Sequence, residues 1–65
     1  MDALRIKILE LMEDAEKSAS GAFRGARLAK EDGDPELEVR AIEHGAVIHA
    51  NYASALRRLI DPNAP

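Results

Sequence analysis

The chain lacks cysteine, which narrows the ways in which so short a protein can be stabilised. Its 65 residues form at most one small domain, and a domain of this size buries only about 60% of the surface that its unfolded chain exposes. Without cysteine, disulfides and thiolate zinc sites are excluded. Self-association is the remaining common aid, so we expect a homo-oligomer.

An excess of positive charge, a set of aromatic side chains and long apolar runs are also missing. The net charge is -3, and the aromatic residues are Phe23 and Tyr52 alone. These features argue against binding of nucleic-acid polymers through phosphates or by base stacking. No apolar run approaches the ~18 residues of a membrane span, and no signal-peptide pattern is visible. We therefore expect a cytoplasmic protein without a membrane partner.

Apolar residues recur at the helical period in two long stretches, which predicts an all-α fold. The first stretch predicts a helix over about residues 3–31, with Asp2 as its N-cap. The second predicts a helix over about residues 35–60. Proline follows this second stretch, so we expect residues 62–65 to form a frayed tail.

The segment between the two stretches has the composition of a tight turn. Over residues 32–34, Gly33 suits a left-handed C-terminal cap and Asp34 suits the next N-cap. Pro35 suits the first helical position. These signals predict a single antiparallel two-helix hairpin over residues 1–61, which assembles as a helical-bundle homo-oligomer.

The second predicted helix carries two adjacent apolar seams. The first seam consists of Val39, Ile42, Ala46, His49, Ala53, Leu56 and Ile60. The second seam consists of Ala41, Gly45, Ile48, Tyr52, Ala55 and Leu59. One partner helix cannot cover a face of this width, which again favours self-association.

Small residues of the two helices fall at matching heights if the chain folds back at Gly33. Residues whose numbers add to about 67 are then level, so Ala22 faces Gly45 and Ser18 faces His49. This register predicts close approach of the two backbones near the turn. Alternatively, the glycines of the first helix admit another subunit or a ligand.

A stripe of polar residues runs along the first predicted helix beside Gly21 and Gly25, and we call it the basic stripe: Lys17, Ser20, Arg24, Arg27 and Glu31. We take seven residues as candidate ligand contacts: Lys17, Ser20, Gly21, Arg24, Gly25, Arg27 and His49. Such a stripe is commonly a solvated face. Guanidinium groups beside glycine and serine also supply the donors and the space that a phosphate-bearing ligand needs.

The two histidines leave open a structural and a functional interpretation. His49 lies in the first seam, either as a core residue hydrogen-bonded to Ser18 or Glu16 or as a ligand contact, and His44 falls on the polar face. Neither has a glutamate three residues before it, so no metal site is expected. Two helices cannot enclose an orienting acid and an oxyanion hole. We therefore expect no enzyme activity and no cofactor.

The run AVIHANYASA resembles the C-terminal helix of the small phage proteins that counter CBASS immunity by sequestering cyclic nucleotides. The matching residues are Ala46, Val47, Ala50, Asn51, Ala53 and Ala55. The two-helix plan with an acidic, proline-containing turn is also similar, whereas His49 replaces an expected tryptophan. The resemblance implies an oligomer of helical subunits that holds cyclic dinucleotides or trinucleotides without cleaving them. It assigns no binding residue.

These observations favour a non-enzymatic, phage-type sponge for a cyclic nucleotide immune signal, located in the host cytoplasm if phage-encoded. The alternative is an adaptor or inhibitor that docks on a partner protein through its exposed apolar face. A third interpretation is a small subunit with a purely structural role.

Overall fold

The computed structural model describes residues 2–63, which form two long helices joined by a short turn. Helix α1 spans Ala3–Glu31 and helix α2 spans Glu36–Ile60. The helices pack side by side and antiparallel, giving a particle of 47 × 18 × 12 Å. The predicted helical hairpin is therefore confirmed.

Both ends of α1 are capped as the sequence predicts. The Asp2 carboxylate accepts a hydrogen bond from the Leu4 backbone N–H at 3.0 Å, which satisfies one of the free donors of the first turn. At the other end, Gly33 adopts a left-handed conformation with φ 79°, and its N–H donates to the Lys30 carbonyl at 3.1 Å. The Asp34 N–H bonds the Ala29 carbonyl at 2.9 Å, which completes a Schellman motif.

The start of α2 differs by one residue from the expected position. Pro35 lies outside the helix, with ψ 137°, and it occupies the N-cap position that we assigned to Asp34. Its carbonyl accepts the N–H groups of Glu38 at 2.9 Å and Val39 at 3.2 Å. No side chain caps this end. Asp34 is instead part of the turn that closes α1, where its backbone N–H donates to the Ala29 carbonyl.

The end of α2 follows from the proline at position 62. Asp61 has an extended backbone, with φ -141° and ψ 88°, as expected for a residue that precedes proline. Pro62 and Asn63 are exposed beyond it. The last two residues of the predicted tail, 64 and 65, lie outside the described residues.

The contact between the helices is made mainly of alanine. The buried hydrophobic residues are Ala15, Ala19, Ala26, Ala29, Val39, Ala46, Ala53 and Leu56. Ile42 packs, partly buried, against the cluster of Ala26, Ala29 and Val39 next to the turn. Because methyl groups form most of this contact, the helix axes can approach closely while little apolar area is buried.

The predicted register is correct near the turn, but the role assigned to Gly45 is wrong. A Cβ built at Gly25 would lie 3.9 Å from Cγ2 of Ile42, and these two residue numbers add to 67. A Cβ at Gly45 would meet nothing within 4 Å, so no tight contact with Ala22 requires glycine there. The alanines already set the distance between the helices, and Gly45 lies at the edge of the contact.

Neither α1 nor α2 has the length and apolar character needed to cross a membrane.

Alanine substitution should have opposite effects on stability at Gly33, which is left-handed in the turn, and at Gly21, which is within α1. Gly33→Ala forces a Cβ into the left-handed region and should destabilise the hairpin by about 1 to 2 kcal/mol. Gly21→Ala adds a Cβ in open space within a helix and should be stabilising by about 0.5 to 1 kcal/mol. Urea unfolding followed by circular dichroism at one protein concentration measures both. Equal effects of the two changes would contradict this assignment of the turn.

Candidate functional site

Within the basic stripe, Arg24 lies on the face of α1 that points away from α2, whereas Ser20 and Arg27 line shallow grooves between the two helices. Arg24 is two residues before the buried Ala26, which places it about 200° around the helix from the core. Lys17, Ser20, Arg24 and Arg27 are all exposed. All four side chains are therefore accessible to solvent, with Arg24 on the outer face and Ser20 and Arg27 toward the flank that borders α2.

The cations of this stripe differ in whether a carboxylate neutralises them. The ammonium group of Lys17 lies 3.4 Å from the carboxylate of Glu13, one turn earlier on the same helix. Arg24 and Arg27 form no ion pair with any residue between 2 and 63. Their guanidinium groups are therefore the donors of the stripe that remain available to an external anion.

The glycines beside the stripe leave the surface of α1 flat. Gly21 is exposed, and a Cβ there would meet nothing within 4 Å. Gly25 is half-buried, and a Cβ there would lie at an ordinary contact distance from the Ile42 side chain. Packing within the hairpin therefore does not require glycine at either position, and a bound molecule could approach the backbone of α1 closely here.

His49 is separated from the stripe, and its interpretation as a core residue is wrong. Its side chain is exposed on α2, whereas Arg24 points away from that helix. The α1 residues at this level, Ser18 and Gly21, are small and exposed. They therefore leave the imidazole of His49 open to solvent. Glu16, one of the two partners considered for His49, is engaged elsewhere.

A shallow groove on one flank of the hairpin was not predicted. Its lining consists of Glu16, Ala19, Ser20, Phe23, Ala50, Ala53, Ser54 and Arg57. Nη2 of Arg57 donates to Oε1 of Glu16 at 3.0 Å and ties α2 to α1 across the groove. Arg57 lies in the last turn of α2, where the helix dipole by itself favours a cation. The missed signal was a long cation on one helix and a carboxylate on the other, close enough in register for their side chains to span the gap.

The arrangement of these groups is suited to holding an anion at an open surface. Arginine donates charge-assisted hydrogen bonds to phosphate or carboxylate oxygens, often two at once. Among the described residues, no cluster of three or more histidine, aspartate or glutamate side chains could hold a metal ion. The available chemistry is thus recognition through guanidinium donors beside a flat helix surface.

The Glu16–Arg57 pair should contribute little to stability because it is solvated. Both side chains are about half exposed, at 48% for Glu16 and 52% for Arg57. A double-mutant cycle with Glu16→Gln and Arg57→Gln should give a coupling of about 0.2 to 1 kcal/mol that declines in high salt. A coupling that persists at molar salt would contradict this assignment.

Comparisons of the chain with protein family models, with curated proteins and with solved structures find no match.

Proposed function

We propose that the protein is a non-enzymatic sponge that binds a cyclic nucleotide signal and sequesters it unchanged. The observation that carries the proposal is the pair of exposed arginines, Arg24 and Arg27, which lack a carboxylate partner within residues 2–63. The resemblance of AVIHANYASA to the phage anti-CBASS proteins supports the ligand class and a role in the host cytoplasm.

The local charge of α1 favours an anionic ligand although the chain as a whole is acidic. The net charge of -3 disfavours loose binding to a nucleic-acid backbone. Discrete binding depends instead on directed hydrogen bonds, and each one from a guanidinium to a phosphate contributes about 1.5 to 3 kcal/mol. Arg24 and Arg27 are three residues apart, so both can reach one phosphate from the same helix face.

A homo-oligomer would supply equivalent arginines from several copies. Closed symmetry repeats every surface of the subunit around an axis. A cyclic dinucleotide or trinucleotide carries phosphates related by a similar rotation, so each phosphate could meet the same arginine pair from a different copy. Flat surfaces at Gly21 and Gly25 leave room for the bases and sugars.

The proposal predicts a specific loss of binding in one arginine variant. Arg24→Ala should weaken binding of a cyclic dinucleotide or trinucleotide at least about tenfold, because it removes a charge-assisted hydrogen bond. Isothermal titration calorimetry with a panel of these nucleotides measures the effect. The ligand should be recovered intact after heat denaturation of the protein.

The matched control is Arg5→Ala, which removes the same charge from the same helix. Arg5 is exposed and without an ion pair in the described part of the chain, and it lies about 28 Å along α1 from Arg24. Binding should be unchanged in this variant. Equal losses in both variants would indicate a general charge effect, and absence of binding tighter than about 10 µM across the panel would refute the sponge.

The alternative function, docking on a partner protein, is favoured by a different observation. Large apolar side chains remain exposed, including Leu37 at 80%, Leu59 at 70% and Ile48 at 54%. An adaptor or inhibitor would bury such side chains against its partner. It would bind no nucleotide in the calorimetric panel and would gain stability from the partner protein instead.

A further inference from the structure

The second seam of α2 is exposed although it is as regular as the first. Helix α1 covers Val39, Ala46, Ala53 and Leu56 of the first seam, which are buried. In the second seam, Ile48 is 54% exposed, Tyr52 48% and Leu59 70%. The hairpin therefore leaves a continuous apolar line along α2.

The spacing of the second seam indicates that its partner is a helix. Its six members follow one another at intervals of four, three, four, three and four residues. An alternation of three and four is the pattern by which one helix packs lengthwise along another. A flat or irregular partner surface would not require this periodicity.

The same intervals make the second seam complementary to itself, as pairing with a second copy of the chain requires. They read identically in both directions, so an antiparallel copy places each seam residue level with a seam residue of the other copy. The resulting pairs are Ala41 with Leu59, Gly45 with Ala55 and Ile48 with Tyr52. This self-complementarity is what a two-fold axis demands of an interface.

We propose that α2 packs antiparallel against α2 of a second copy through the second seam, around a two-fold axis near Ala50.

The sizes of the paired residues fit such an interface. The large Leu59 meets the small Ala41, and Gly45 meets Ala55, so the two backbones can approach closely on both sides of the central pair. The hairpin alone gives no reason for glycine at position 45, because a Cβ there would meet nothing within 4 Å. Close approach of a second α2 supplies that reason.

The area of the contact reaches the minimum for a specific interface between two copies. The overlap from residue 40 to residue 60 is about 30 Å long, and half the circumference of a helix is about 17 Å. Each copy would bury about 500 Å², a tenth of its 4946 Å² surface. The total of about 1000 Å² reaches the lower limit of biological interfaces.

The charges along this part of α2 permit two copies to meet. Between residues 41 and 60 the single acidic residue is Glu43. It lines the flank of the hairpin that also carries Phe23, Arg27 and Val47, away from the second seam. Although each chain has a net charge of -3, the antiparallel pairing of the second seams brings no two carboxylates together.

This interface goes beyond the proposed function and does not depend on it. It uses α2, whereas the ligand proposal uses Arg24 and Arg27 on α1. Sedimentation of the Arg24→Ala variant and of the wild-type chain without nucleotide measures the dimer alone, so failure of the interface and failure of the sponge are distinguishable.

A pair of neighbouring substitutions tests the interface. Ile48→Glu should weaken self-association at least about a hundredfold, because each copy would bury an unpaired carboxylate beside Tyr52 of the other. Val47→Glu makes the same change one residue earlier, at a side chain that is 45% exposed on the other flank, and should leave association unchanged. Sedimentation equilibrium over a concentration series measures both.

Disulfide trapping tests the antiparallel register without disturbing the centre of the seam. The natural chain has no cysteine, so Ala41→Cys and Leu59→Cys each introduce a single thiol. When the two variants are mixed and oxidised mildly, the antiparallel register predicts mainly the mixed disulfide, since residues 41 and 59 are level. Mass spectrometry separates this product from the two symmetric ones.

Several outcomes would overturn the proposal. If the wild-type chain stays a folded monomer at every concentration, the partner of the second seam is not a second copy. Equal weakening by Val47→Glu and Ile48→Glu would place the interface elsewhere. Symmetric disulfides alone would indicate parallel packing. If Ile48→Glu unfolds on losing its partner, the trapping experiment on the two cysteine variants still decides the register.

Discussion

The close contact of two long helices through alanine is the constraint on which the rest of the structure depends. Among residues 2–63, six of the eight buried hydrophobic residues are alanine, and Val39 and Leu56 are the other two. A buried methyl group contributes only about 0.8 kcal/mol, while ordering each residue costs about 1 to 2 kcal/mol. The free energy of unfolding of a lone hairpin of this kind is therefore small. The same narrow contact leaves large side chains such as Ile48 and Leu59 outside it.

The two proposed activities of the surface are assigned to different helices for a physical reason. α2 carries the second apolar seam, whereas α1 carries Arg24 and Arg27 on exposed positions. Four of the nine basic side chains are held by carboxylates, and Arg24 and Arg27 are not among them. Self-association through α2 would therefore leave the guanidinium groups of α1 in solvent. An assembly of this kind could bind ligands without giving up its own interface.

Short sequence patterns at the ends of the helices allowed the fold to be predicted. The cap at Asp2, the left-handed Gly33 and the stop at Pro62 each act within a few residues, so short-range chemistry determines the limits of both helices. The predicted start of α2 is wrong by one residue because Asp34 suits both an N-cap and the turn that closes α1. In the structure it belongs to the turn. Helical periodicity also accounts for the exposure of Arg24, because it decides which residues of a helix lie opposite the buried ones.

The sequence by itself determined the two helices, their turn, the alignment of the seams and the exposure of Arg24. The tertiary structure decided which seam is buried, that His49 is exposed, that Gly45 has free space beside it and that Arg57 reaches Glu16. These properties depend on the distance and rotation between the helices. Alanine contacts set both quantities, and an error of a few ångströms is enough to move a side chain from the core to the surface. No single helix contains that information.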